Sequence, residues 1–124
     1  MTTAEVQADR FDVARRLADT FQCVVVLKGA GTIAAAPGEI PRVIAAGNPG
    51  MAVGGMGDVL TGVIAALRAQ GLSAFDAGSC GALLHAVAGD MAAGEGGERG
   101  LLPSDLFAPL RRFANPQPRA RVRP

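Results

Sequence analysis

The chain has 124 residues, 49% of them hydrophobic and 19% charged, with 17 glycines and 24 alanines, a composition suited to one small packed domain and foreign to a disordered chain. With no Trp, no Tyr and five Phe, it lacks the aromatic platforms on which single-stranded nucleic acid stacks. The formal charge of +1 is uneven: residues 1–110 carry 7 basic and 11 acidic side chains, and the last 14 carry five Arg and no acid.

Residues 4–21 place Val6, Phe11, Ala14, Leu17, Ala18 and Phe21 at helical spacing among charged side chains, which predicts one amphipathic helix. Cys23 to Leu27 is a short apolar run without alternation, the pattern of a strand covered on both faces in a parallel sheet. Helix followed directly by such a strand is an αβ unit. Thr32–Ala36 and Val43–Ala46 read as two short strands joined through Pro37-Gly38 and Pro41. Gly47 to Gly57 holds five Gly in eleven residues and no charge, and it leads into Asp58 and a helix with Leu60, Val63, Ile64 and Leu67 on one face. Gly71 ends that helix and Ser73 caps another, whose Gly78, Gly81 and Gly89 predict close packing against a neighbour. A last helix, capped by Ser104, carries Leu106, Leu110 and Phe113. Residues 4–115 are read as the folded portion and 116–124 as a basic flexible tail, solvated and not a nucleic-acid arm.

Cys23 and Cys80 sit in apolar strings with no CxxC, and there is one His. That disfavours zinc and predicts buried, reduced thiols. The N-terminus has neither the basic start nor the apolar run of a signal peptide, and no stretch has the length of a membrane span. A cytoplasmic protein without membrane partners is the expectation.

Three strings carry motif-like chemistry. Gly29-x-Gly31-x-x-Ala34 follows a strand like a dinucleotide fingerprint, but it runs into an extended segment where the fingerprint must open a helix. Ser79 between small residues, with His85 after it, imitates a nucleophile elbow but lies inside a helical pattern, so both read as packing residues. The third string, Gly54-Gly55-Met56-Gly57-Asp58 at a predicted helix start, is the informative one. A helix start leaves N–H groups unpartnered and carries partial positive charge, so it suits phosphate. Asp58 beside it suits a base for a substrate hydroxyl; its plainer reading is a helix cap. Lys28, the one lysine against eleven Arg, falls at a strand end where open α/β sheets bind ligands, or is an ordinary exposed cation.

VVVLKGAGT, GNPGMAVGGMGDVLTG, LLHAVAGD and RGLLPSDLFAPLRR, in that order, resemble the C-terminal part of the NAD(P)H-hydrate dehydratase family of the ribokinase-like superfamily, as found in the dehydratase domain of bifunctional bacterial repair enzymes. The resemblance runs from about Glu5 to Asn115. It implies an α/β, ribokinase-like layered fold, with a mostly parallel sheet and helices on both faces, of which this chain is the C-terminal half. It also implies that hydrated NADH or NADPH is restored by phosphorylating the added hydroxyl and eliminating phosphate, with ADP or ATP as donor and Mg2+ as cofactor.

By that resemblance Lys28, Gly29, Ala30, Gly31 and Thr32, with Gly57, bind the nucleotide. Gly55, Met56 and Gly57 form the anion hole, and Asp58 holds the hydrate and acts as base. The magnesium ligands stay unassigned. Val53 departs from the family, standing where relatives carry Ser or Thr, and the N-terminal half of the family domain has no counterpart. An incomplete domain is therefore expected to expose apolar surface and form homo-oligomers. A ribokinase-like kinase of a small alcohol and a non-catalytic nucleotide-binding module are the competing functions.

Overall fold

In a computed structural model, which describes residues 1–115, the first helical stretch is two helices, α1 (Thr3–Ala8) and α2 (Arg10–Phe21), and not the single one the periodicity predicts. Asp9 breaks them: its φ of −148° leaves the helical region, and its carboxylate accepts the Asp12 N–H at 2.9 Å as the N-cap of α2. Three strands follow, β1 (Val25–Leu27), β2 (Thr32–Ala35) and β3 (Arg42–Ile44), and then α3 (Met56–Ala69), α4 (Ala74–Gly96) and α5 (Phe107–Ala114).

The strands form one sheet in the order β1-β2-β3, antiparallel at both junctions, with Val26 opposite Ala34 and Ile33 opposite Val43. The parallel sheet expected from the sequence is not formed among the described residues. The links from Leu27 to Thr32 and from Ala35 to Arg42 are a few residues long, and such links join antiparallel neighbours; parallel ones need a long crossover. β1 is an edge strand here and its residues are half-buried, where the apolar run had predicted full cover.

Helices do lie on both faces of this sheet. On one face Ala14 and Ala18 of α2 pack on Ile33 and Ala35, with Val25 and Leu27 against them. On the other face Ile44 meets Leu60 of α3 and Ala82 and Ala86 of α4, joined by Val26 and Ile64. Alternate residues of β1 therefore serve opposite layers, as the two-residue strand period requires. A third cluster, Met56, Ala88, Ala92, Leu101 and Leu106, packs the base of α3 and α4 against the C-terminal segment.

The Ala- and Gly-rich α4 runs through the middle of this arrangement, where small residues let neighbours come close. A Cβ on Gly78 would stand 3.3 Å from Val24 and Val26, one on Gly81 would stand 2.7 Å from Ile64 Cγ1, and one on Gly89 would run into the Met51 sulfur. Ser73 caps α4 as expected, accepting the Asp76 N–H at 3.1 Å. Ser104 does not cap the last helix: a short 3-10 turn, Pro103–Leu106, precedes α5, and Asp105 closes it by accepting the Leu102 N–H at 2.8 Å.

Both thiols are exposed, against the buried positions predicted for them. Cys23 follows the left-handed turn at Gln22 that ends α2, outside the strand proper, and Cys80 faces out of α4 between the buried Ser79 and Gly81. The tail reading for residues 116–124 lies outside the described residues.

Candidate functional site

The loop Lys28 to Gly31 links β1 to β2 and so is held at both ends by the sheet. Gly29 and Gly31 have φ of +151° and +69°, values that glycine takes without strain. Thr32 fastens the turn, receiving the Gly29 N–H at 3.3 Å and donating its hydroxyl to the Gly29 carbonyl at 3.2 Å. Because the loop enters β2, the dinucleotide fingerprint fails on context, as expected.

The second element of the site is the start of α3. Gly55 is its N-cap at φ +93°, a left-handed position, and a Cβ there would press on Pro103 at 3.0 Å. No side chain caps this end, so the N–H groups of Gly55 and Gly57 have no acceptor among the described residues. The Met56 N–H is turned back on the Val53 carbonyl at 3.4 Å, a weak bond, and Asp58 donates its own N–H to the Gly55 carbonyl at 3.1 Å. Asp58 therefore sits in the first turn without capping it, which removes the plain cap reading, and its side chain is exposed.

These two elements meet. A Cβ on Gly57 would lie 3.0 Å from Lys28 Nζ, so the ammonium stands directly over the first turn of α3 in space that only a glycine leaves open. Lys28 has no carboxylate partner among the described residues. One cation, a helix N-terminus and unpartnered N–H groups thus converge where a phosphate would be held.

Beside this lies a cleft of about 670 Å3, lined by residues 28–32, by 45–49 and, among others, by Met56, Leu60, Ala82 and His85. Its size suits a nucleotide-scale ligand, and its wall is mostly apolar. Gly55, Gly57 and Asp58 are not among its lining residues, whereas Lys28 and Met56 are.

Sequence reasoning missed three groups that hold this site in place. His85 of α4, buried, bonds the Met56 carbonyl at 2.9 Å through Nε2; a carbonyl only accepts, so Nε2 carries the proton. Burial, and secondarily the nearby Lys28 charge, hold this imidazole below its ordinary pKa, while the bond to Met56 acts in the opposite sense. Asp90 of α4 accepts the Gly47 N–H and the Asn48 amide, each at 2.9 Å, and Asn48 in turn accepts the Gly50 N–H at 3.1 Å. The glycine loop is thereby tied to α4. The available signal was the string LLHAVAGD, which brings His85 and Asp90 to neighbouring turns of one helix. The third group, Arg10, lies behind the Lys28 loop. Ser79 is a packing residue as expected: its hydroxyl donates to the Phe75 carbonyl at 2.8 Å and accepts from Arg42 at 2.7 Å.

A model of the NAD(P)H-hydrate dehydratase family matches residues 1–112, which contain both loops and α3 to α5 almost entire. The chain belongs to the NAD(P)H-hydrate dehydratase family. It is 48% identical over 116 residues to the bifunctional NAD(P)H-hydrate repair enzyme Nnr of Escherichia coli, a match covering 94% of this chain and 22% of that protein. It is 42% identical over 113 residues to the ADP-dependent (S)-NAD(P)H-hydrate dehydratase of Neisseria meningitidis, covering 90% of this chain and 38% of that one. Among solved structures it resembles the ADP/ATP-dependent NAD(P)H-hydrate dehydratase of Bacillus subtilis, co-crystallised with ATP/Mg2+, with TM-score 0.84, 31% identity, and coverage of 90% of this chain and 40% of that one. The chain thus spans between about a fifth and two fifths of the length of these members of the family.

Proposed function

We propose that this chain carries the nucleotide-holding and hydroxyl-activating part of an ADP- or ATP-dependent NAD(P)H-hydrate dehydratase. The observation that carries the reading is the convergence of Lys28 Nζ on Gly57 at the start of α3, in a chain that the family model matches through residue 112. Residues 4–115 are on this reading the C-terminal portion of a ribokinase-like domain whose further strands, paired in parallel, would border β1.

The residues present fit a nucleotide phosphate. Lys28 and the N–H groups of Gly55 and Gly57 hold the transferred phosphoryl group, and the loop Lys28–Thr32 holds the rest of the donor against the cleft. Mg2+ has no ready-made cage: among the described residues no three His, Cys, Asp or Glu side chains cluster to hold a metal. When bound, the ion would be held chiefly by the donor's phosphates and would supply charge neutralisation there.

Asp58 accepts the proton of the hydrate hydroxyl as its oxygen bonds to the terminal phosphorus and the phosphoanhydride breaks, releasing AMP from ADP or ADP from ATP. The carbon–oxygen bond then breaks with loss of a proton from the adjacent ring carbon. Inorganic phosphate and NADH or NADPH result.

Small-molecule nucleotides are the partners on this reading, with no nucleic acid or membrane among them, in the cytoplasm. Among the described residues no helix is long and apolar enough to cross a membrane. Exposed apolar side chains such as Ile40, Phe21 and Phe107 favour self-association into a homo-oligomer.

Incubating the chain with hydrated NADH, ADP or ATP, and Mg2+ tests the proposal. Equal yields of NADH and inorganic phosphate support it. Accumulation of a phosphorylated hydrate makes the chain a kinase of a small alcohol, and nucleotide binding without either product makes it a nucleotide-binding module.

A further inference from the structure

The Arg10 guanidinium, at the first position of α2, donates to four backbone carbonyls of the loop after β1. Its Nη1 reaches Ala30 O at 2.6 Å and Gly31 O at 3.1 Å, and its Nη2 reaches Leu27 O and Lys28 O, each at 3.2 Å. Four of the five N–H donors of arginine are thereby used on one loop, and the buried Nε is the one left without a partner among the described residues. The fit is close: a Cβ on Gly29 would stand 2.7 Å from Nη2. Arg10 does not line the cleft, whereas residues 28–32 do, so the loop is a sheet of backbone with the guanidinium behind it and the cleft in front.

Trans peptide planes give this arrangement a consequence. No peptide bond in the described chain is cis, and in a trans peptide the carbonyl and the N–H of the next residue point in opposite directions. The Ala30 carbonyl drawn back to Arg10 turns the Gly31 N–H forward, whereas the Gly29 N–H, which follows the Lys28 carbonyl, is held by Thr32 Oγ1 at 3.3 Å. Donation to the carbonyls also polarises the peptides and strengthens those N–H groups as donors.

We propose that Arg10 is the positioning residue of the nucleotide loop: by clamping the carbonyls of residues 27, 28, 30 and 31, it fixes the turn that Thr32 closes on Gly29, turns the Gly31 N–H toward the cleft and makes the loop a receptor for the nucleoside diphosphate. The inference rests on the nucleotide reading above and adds to it a residue that touches no ligand. Lysine cannot replace it, since a single ammonium cannot span four carbonyls in a planar fork.

The test is calorimetric titration of the full chain with ADP and Mg2+, together with amide hydrogen exchange at Gly29, whose N–H Thr32 holds, in the absence of nucleotide. Arg10→Ala and Arg10→Lys are each expected to weaken ADP binding about tenfold or more, the scale of losing a charge-assisted set of hydrogen bonds. Exchange at Gly29 should accelerate while that of α4 stays unchanged, and millimolar methylguanidinium should restore affinity to Arg10→Ala. Arg15→Ala, an exposed change on the same helix, should leave both readouts at wild-type values. Affinity within twofold of wild type in Arg10→Lys, or uniform acceleration of exchange with no rescue by methylguanidinium, overturns the positioning role. A wild-type chain that binds no ADP overturns the nucleotide reading and this inference with it. Exchange at Gly29 unchanged by Arg10→Ala overturns the clamp alone.

Discussion

On the proposed mechanism, Asp58 is the residue on which the chemistry turns. It occupies the first turn of α3, it does not cap that turn, and its side chain is exposed beside N–H groups that lack acceptors. On that mechanism a carboxylate so placed takes the proton of the substrate hydroxyl. Asp58→Asn preserves shape and removes the base, so turnover in the hydrate assay should fall by at least the ~100-fold typical of lost general-base catalysis, with ADP affinity within a few-fold of wild type. Steady-state kinetics and titration on the same preparation check this; near-wild-type turnover would remove Asp58 from the role of base.

The elements owe their spacing to glycine and alanine, and two glycines make the point in opposite directions. At Gly81 of α4 a Cβ would stand 2.7 Å from Ile64 Cγ1 of α3, whereas at Gly62 of α3 it would meet nothing within 4 Å. Gly81→Ala should therefore cost about 1–3 kcal/mol by overpacking the α3–α4 contact. Gly62→Ala should gain roughly 0.5–1 kcal/mol, because it only removes freedom from the unfolded chain. Thermal melts of the two variants should move in opposite directions. The small residues at 78, 81 and 89 were legible in the sequence as a packing stripe, and so were the caps at Ser73 and the glycine loop. The break at Asp9 was not legible, because apolar periodicity continues across it and the break is marked by the Asp9 backbone leaving the helical region and its side chain capping α2. Nor was strand direction: a short apolar run reports cover on its faces, not which way its neighbours run.

In the whole molecule, the two loops carrying Lys28 and Gly57 lie 29 positions apart in the chain and meet because α4 and the sheet bring them together. The sequence marked each segment as a candidate for phosphate binding. What it could not show was that buried His85 and exposed Asp90 tie the start of α3 and the glycine loop to one helix, since one histidine and one aspartate in a helical pattern look like packing and solvation. His85 has a consequence for stability. Its pKa is lowered in the folded chain, chiefly by burial, so below the ordinary value of about 6.5 the unfolded chain binds a proton that the folded chain resists. Stability from this group is fully present above about pH 6.5 and is lost as pH falls toward the folded-state value. The melting temperature of wild type should accordingly fall between about pH 7.5 and 5.5 more steeply than that of His85→Gln, which keeps a donor for the Met56 carbonyl and has no proton to gain.

The convergence of Lys28 on the first turn of α3 is tested most directly by calorimetric titration of the chain with ADP and Mg2+, wild type against Lys28→Ala. Saturable binding by the wild type, weakened about tenfold or more when the ammonium is removed, is the predicted result. Equal affinities for the two chains, or no binding by either, would contradict it.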